Sequence, residues 1–298
     1  MKISVLISTY NRREALQKTL QCLLAQDYPL GELELIVLDD TGSDGTYEEL
    51  LRRSTELLSS GLRGFQAMRN PDNMGIAYGR CRLTEAAVQD SEAILYLDDD
   101  VYLEKNTIGG LVNCLQKDQR RALAGPRLVY ASEPLKTAHC ANFVGKWSGR
   151  YSEKDPSSEM ECDWLNSSCL LARRAPLSGL KDNSDFYTAH EEVDFCLQLR
   201  NAGYLVVYFP EVRAAHDLPL SGSSRRDRLY YLYRNKLRVF IRNFTPIRLI
   251  TALLVMVFLG LPKALIESLA YNRGVNFREI GLIFRAFADG LRDRGGKL

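Results

Sequence analysis

The chain has 298 residues, 46% hydrophobic and 26% charged; this is ample for a large buried core and excludes a disordered or fibrous class. Its seven cysteines (22, 81, 114, 140, 162, 169 and 196) are odd in number, scattered and without a CxxC pair, so neither a disulfide framework nor a cysteine zinc site is expected, and the thiols read as reduced in a cytosol. The net charge of +2 hides an asymmetry: residues 222–298 carry 15 Lys/Arg against 5 Asp/Glu, while residues 1–221 carry 24 against 32, which predicts an anionic surface near the C-terminus.

Ile3–Ser8 is a β-rich run, too short for a signal peptide. A helical pattern follows over Arg13–Gln26, with Leu16, Leu20, Leu23 and Leu24 on one face, and then a second strand, Leu33–Leu38, that ends at Asp39-Asp40 and the turn TGSDGT. Helix Tyr47–Leu58, strand Phe65–Met68, helix Ile76–Gln89 and strand Ala93–Leu97 continue the alternation. Strands alternating with helices predict parallel βαβ units in a doubly wound sheet, whose ligands bind beyond the carboxyl ends of the strands. Ser8-Thr9-Tyr10, Asp39-Asp40 and Asp98-Asp99-Asp100 all fall at such ends.

From about Gly125 the pattern shifts to shorter strands, near Arg127–Tyr130, Phe143–Tyr151 and Cys162–Ala172, which predict an antiparallel or mixed extension. A helix over Glu191–Asn201 stops at Gly203, and strand Tyr204–Phe209 leads to His216. The expected organisation is a unit over 1–221, divided into 1–124 and 125–221, followed by a basic, hydrophobic helical region over 222–298.

The stretch ILYLDDDVY brings three adjacent carboxylates to the end of a continuously apolar strand. A solvated acidic turn is one reading. The other is a crevice in which the run Asp98-Asp99-Asp100 meets a hard divalent cation, the natural counter-charge for carboxylates this close. The second acidic cluster, TAHEEVDF, opens a helix, and Thr188-x-x-Glu191 fits a capping box that gives Glu191 a structural role. Glu192 points about 100° further around the helix and is left for other work. Asp194 has the choice of orienting neighbours or meeting a substrate hydroxyl.

STYNR (8–12), QDYP (26–29), VLDDTGSDGT (37–46), NMGIAYGR (73–80), LDDDV (97–101), DWLNSSCLLARR (163–174), EEVDFCLQLRNAGY (191–204) and the later His216 come in an order that resembles the family 2 glycosyltransferases of bacterial cell-surface polysaccharide type, over roughly residues 1–245. The resemblance implies a GT-A fold, meaning a Rossmann-like, mostly parallel sheet with a small antiparallel extension, here followed by a C-terminal helical tail. It also implies a nucleotide-diphosphate sugar donor (UDP- or dTDP-type), a divalent metal (Mn2+ or Mg2+) and inversion at the anomeric carbon.

Carried onto this sequence, the resemblance has Thr9 and Tyr10 border the base, Asp39 accept the N3–H of a uracil or thymine, and Asp98 hold the ribose. Arg12, Asp40, Arg80 and Asp99 join the donor-binding set. Asp98, Asp100 and His216 form the metal set, an imidazole beside carboxylates suiting manganese. Glu192 falls where the family places its base, with Glu191 and Asp194 beside it. Most members have Asp at position 192; Cys81 stands where Asn is usual, and Ser167 where Gly is common.

A sugar nucleotidyltransferase is disfavoured by the glycine-free loop STYNRREA, and an inactive scaffold by competent groups at 100, 192 and 216. The run SGSSRRDR suggests a lid in which Arg225, Arg226 and Arg228 close over the diphosphate, against the plainer reading of solvated surface. Trp147, Trp164 and Tyr151 offer an acceptor platform or core packing. Leu249–Leu261 is too short to span a bilayer, and the region 246–298 suits an anionic membrane surface, with a helical hairpin or a dimer contact as rivals. The expected partners are a saccharide or lipid-linked acceptor and that membrane's cytoplasmic face, with no nucleic acid; oligomeric state is left open.

Overall fold

The computed structural model describes residues 1–218, 225–272 and 274–298, apart from the side chains of 225–228 and 272. Among these, ten strands form one sheet in the order β10-β12-β6-β11-β4-β1-β2-β3, with β5 on β12 and β7 on β6. The strands are β1 (Ile3–Thr9), β2 (Leu33–Asp39), β3 (Gly64–Arg69), β4 (Ala93–Asp98), β5 (Val101–Leu103), β6 (Arg121–Tyr130), β7 (Thr137–His139), β8 (Ala141–Val144), β9 (Tyr151–Lys154), β10 (Met160–Cys162), β11 (Cys169–Arg173) and β12 (Leu205–His216), with β8 and β9 pairing separately. β4, β1, β2 and β3 run parallel, β11 is antiparallel to β4 and β6, and β12 returns parallel to β6. The chain winds outward from β1 through β2 to β3 and then crosses to β4 on the other side, so the sheet reverses direction between β1 and β4. Thr9 and Asp98 end those two strands, where a doubly wound sheet opens a crevice.

Period-two alternation sorts the side chains. Ile3, Val5, Ile7, Leu95 and Leu97 face a core shared with α1 (Arg13–Leu24), while Leu6, Ile94 and Tyr96 face the opposite core with Leu83. Both faces are covered, which is why these strands read as unbroken apolar runs. The other helices are α2 (Thr46–Arg52), α3 (Ser54–Ser59), α4 (Ile76–Ala86), α5 (Thr107–Gln116), α6 (Glu191–Asn201), α7 (Arg225–Asn243), α8 (Pro246–Val255), α9 (Leu261–Asn272) and α10 (Phe277–Leu291).

Several expected elements differ. The helix expected over 47–58 is two helices, broken at Arg53, whose backbone leaves the helical region. The strand expected over 143–151 is a hairpin, β8–β9, turning at Gly149 with φ of 61°. The strand expected over 162–172 is two, because β10 pairs with β12 while β11 lies between β6 and β4, and residues 163–168 connect them. Helix α5 was not anticipated; its TIGGLVNCLQ carries a glycine pair that weakens the helical signal. The segment read as a lid lies outside the described residues, as residues 219–224 or as the side chains of Arg225, Arg226 and Arg228.

The C-terminal helices are not appended loosely. Val193 and Leu197 of α6 share a core with Leu237 and Phe240 of α7 and Ile283 and Phe287 of α10.

Candidate active site

The end of β4 carries the carboxylates, and each meets a cation. Arg80 Nη2 donates to Asp98 at 3.0 Å while its Nη1 donates to Glu191 at 2.8 Å, so one guanidinium ties the end of β4 to the start of α6. Arg12 pairs with Asp100 and, at 3.3 Å, with Asp99. Burial opposes ionisation of Asp98, but Arg80 and the Ser168 hydrogen bond outweigh it and hold the carboxyl below its usual range. Asp99 is the exception. Burial and its two acidic neighbours push it up to about 7 despite Thr9 and Arg12.

His216 comes from the far end of β12, and the sheet delivers it: β12 pairs antiparallel with β5, setting His216 opposite Val101. Its Nε2 lies 3.2 Å from Asp100 Oδ1, and ligand atoms of Asp98, Asp100 and His216 all fall within 4.8 Å of one another. Asp100 Oδ1 and His216 Nδ1 are buried without a hydrogen-bond partner. Two carboxylates, an imidazole and orphaned buried donor atoms fit a hard or borderline divalent cation. Asp100 also lines an open polar cleft of about 560 Å³ with Asn11, Arg12, Asp44 and Asp217.

On β2, Asp39 is buried, and its Oδ1 accepts from Gly42 N at 2.8 Å. Its Oδ2 has no aligned donor, although Arg69 Nε lies 3.4 Å away, and burial raises this carboxyl. Asp40 is spent on architecture, accepting from Asn70 Nδ2, Met74 N and Gly75 N at 2.7, 3.0 and 2.9 Å. Gly75 must be glycine: its φ is 84°, and a Cβ there would stand 2.5 Å from Tyr187. Thr9 is buried at the end of β1, and Tyr10 next to it is half exposed.

The second cluster starts from an unusual loop. Tyr187, Ala189 and His190 all have φ near +66°, and none is glycine or asparagine. Such residues cost on the order of 1–3 kcal/mol each. The offset comes from α7, where the Asn235 Nδ2 amide reaches the carbonyls of Phe186, Thr188 and Ala189 at 3.0, 2.6 and 2.8 Å, and Arg234 reaches Phe186 O at 2.8 Å. The capping box expected at Thr188 does not form. The left-handed turns move the helix start to His190, which has no side-chain cap, and Glu191 binds Arg80 instead.

Glu192 forms no ion pair among the described residues, and the nearby charge of Arg80 offsets its burial only in part. Its Oε2 is buried and unpartnered, and burial followed by the charge of Glu191 drives its carboxyl well above the ordinary range. It lines a cavity of about 310 Å³ whose walls include Tyr96, Leu170 and Phe195. Asp194 does not face this space. It is fully buried and accepts from Asn243 at 2.7 Å and Gln198 at 2.8 Å, so it orients neighbours and is shut off from any substrate hydroxyl. Trp164 packs against Tyr151 with ring centres 5.6 Å apart, while Trp147 stands exposed on the β8–β9 turn.

Two features escaped the sequence reading. Asn235 is one, lying in a tail helix with no motif around it. His139 is the other, its ring centred 5.5 Å from that of His216 and its pKa lowered to about 4 by burial and by that neighbour.

A mostly parallel, doubly wound sheet with an antiparallel extension and acid-bearing strand ends is the architecture of GT-A proteins. The profile of the glycosyl transferase family 2 matches residues 4–179, and the chain belongs to that family. An uncharacterised glycosyltransferase of Mycoplasma pneumoniae, the MG060 homolog, is 32% identical over 117 residues, covering 39% of this chain and 38% of its own. The poly(ribitol-phosphate) β-N-acetylglucosaminyltransferase TarS of Staphylococcus aureus is 32% identical over 110 residues, 36% of this chain and 18% of its own. This chain thus spans less than half the length of these curated relatives. The crystal structure of TarS 1–349 in complex with UDP-GlcNAc has the same fold, with a TM-score of 0.62 at 18% identity over 98% of this chain and 81% of that one. The mannosyltransferase PcManGT of Pyrobaculum calidifontis, in complex with GDP-Man and Mn2+, gives 0.60 at 16% identity over 98% and 87%.

Proposed function

We propose that residues 1–221 are the catalytic unit of an inverting glycosyltransferase that moves a sugar from a UDP- or dTDP-type donor to a hydroxyl of a saccharide or lipid-linked acceptor, with a divalent metal. The observation that carries this reading is the convergence of Asp98, Asp100 and His216 within 4.8 Å, joined through Arg80 to the carboxylates of α6. The solved GT-A relatives with a bound nucleotide sugar, one of them also with Mn2+, support it.

Asp39 Oδ2, a buried acceptor without an aligned donor, suits the N3–H of a uracil or thymine ring. Asp98, partly open to solvent beside Thr9, suits the ribose and the metal together. Asp100 and His216, with Asp98, would hold manganese or magnesium. That ion, when bound, supplies positive charge to the departing diphosphate. Glu192 takes the proton of the attacking acceptor hydroxyl: its raised affinity for protons and its place in a cavity beside the crevice fit a general base. Arg80 bridges Asp98 and Glu191, so the acidic crevice holds its shape before any substrate enters.

The test is hydrolysis of a panel of nucleotide sugars by the purified chain, with and without Mn2+ or Mg2+. Slow, metal-dependent release of one nucleoside diphosphate is expected, and Asp100→Ala should abolish it. Equal release by Asp100→Ala, or release indifferent to chelator, would sink the reading.

A further inference from the structure

The C-terminal helices present a surface that the catalytic reading does not use. A π-helical turn over Met256–Gly260 joins α8 and α9 into one continuous helix over Pro246–Tyr271. It is longer than the 13-residue apolar run suggests, and long and apolar enough by composition to cross a membrane, yet only 17% of its most apolar window is buried. One side is locked into the protein through Ala252, Met256 and Ala264, whereas Ile247, Phe258 and Ile266 on the other are each about two-thirds exposed. Crossing a bilayer would tear the inner side out of its core, so this helix is held parallel to the body.

Helix α10 carries the more specific sign. Phe277, Phe284 and Leu291 are exposed, and each is followed by an exposed arginine: Arg278, Arg285 and Arg292. A spacing of seven residues is close to two helical turns, so the apolar side chains form one row and the arginines form another beside it. The opposite face holds this display in place: Ile283 and Phe287 are buried, and Gly290 sits against Arg234 O and Leu237. Arg285 pairs with Asp289 at 3.4 Å, while Arg278 and Arg292 have no acidic partner among the described residues.

We propose that the outward face of residues 246–292 docks on an anionic lipid bilayer. The aromatic and aliphatic row enters the boundary between headgroups and acyl chains, and the arginine row binds headgroup phosphates. A second copy of this chain is the less suitable occupant. A two-fold contact through this face would oppose the same arginine row on both sides, in a stretch, 246–292, that carries six Lys/Arg against three Asp/Glu. Anionic lipid answers both the exposed apolar area and the charge. The proposal stands apart from the catalytic reading, because it is measured without substrate.

The experiment is flotation of the full chain with vesicles of phosphatidylcholine, alone or with roughly a third phosphatidylglycerol. Binding to the anionic vesicles only is expected, with release by alkaline carbonate. Arg278→Gln, Arg285→Gln and Arg292→Gln together should weaken binding about a hundredfold. Phe277→Ser with Phe284→Ser should weaken it as well, both variants keeping the thermal midpoint and the solution donor hydrolysis of the parent. Three results would overturn the proposal: no binding, undiminished binding of the triple variant, or retention through carbonate, which marks a spanning helix. A sedimenting dimer that Phe284→Asp dissolves, with vesicles leaving the protein unbound, would overturn it in favour of a second copy.

Discussion

The two acidic clusters use the same kind of side chain to opposite ends. At the end of β4 every carboxylate has an arginine neighbour: Arg80 for Asp98, and Arg12 for Asp99 and Asp100. At the start of α6, Glu191 takes the other arm of Arg80, and Glu192 beside it has no ion-pair partner among the described residues. Surroundings therefore separate the roles. A carboxylate whose pKa an arginine lowers, as Arg80 does for Asp98, is suited to gripping charge, whereas one left buried without an ion pair favours its proton and can exchange it.

The sharpest way to break this contrast is Glu192→Gln, which keeps shape and removes proton uptake. Transfer should fall about a thousandfold while donor affinity, by calorimetry, stays within about twofold. Loss of donor affinity instead would place Glu192 among the binding groups. Asp100→Asn attacks the other cluster. It should cost about a hundredfold in turnover and raise the metal concentration needed for half-maximal rate; an unchanged metal requirement would remove Asp100 from the ligand set.

Asn235→Ala tests whether the second cluster depends on its loop. About a tenfold loss in kcat is expected with donor KM little changed, together with roughly 1–3 kcal/mol of stability by urea unfolding. A loss of stability with kcat intact would make Asn235 structural only.

The smallest effect is on pH. Because burial and Glu191 raise the folded pKa of Glu192, transfer should rise with pH through a midpoint above the ordinary carboxylate range. Glu191→Gln removes the like charge and should move that midpoint down by about one unit. Stability has the opposite sign. The folded chain binds the Glu192 proton more tightly than the unfolded chain, so this contribution is full below the unfolded pKa and is lost as pH climbs to the folded one. Urea midpoints of the parent should fall across that window relative to Glu192→Gln.

Much of the sheet was legible because strands buried on both faces leave unbroken apolar runs, and ILYL straight into DDD announces where one stops. The order of Thr9, Asp39 and Asp98 along one crevice followed from that. The rest depended on contacts distant in sequence. Arg80 meets Glu191 across 111 positions, and no local pattern reveals it. The left-handed run at 187–190 was invisible because tyrosine, alanine and histidine are not turn formers, and the apparent capping box at Thr188 pointed to a helix start the loop does not adopt. Asp194 reads in the sequence as a neighbour of the candidate acids, but helical geometry turns it inward to Asn243.

The loop before Glu191 has one more consequence. Its three unfavourable backbone conformations are fastened to α7, and α7 is itself fastened to α10, where Tyr230 donates to Asp289 at 2.8 Å. The loop before residue 192 and the inward face of α10 are thus joined through α7. Unseating the inward face of α10, unlike changes to its outward side chains, should loosen this loop, and amide exchange at 187–190 should then quicken well before the central strands loosen.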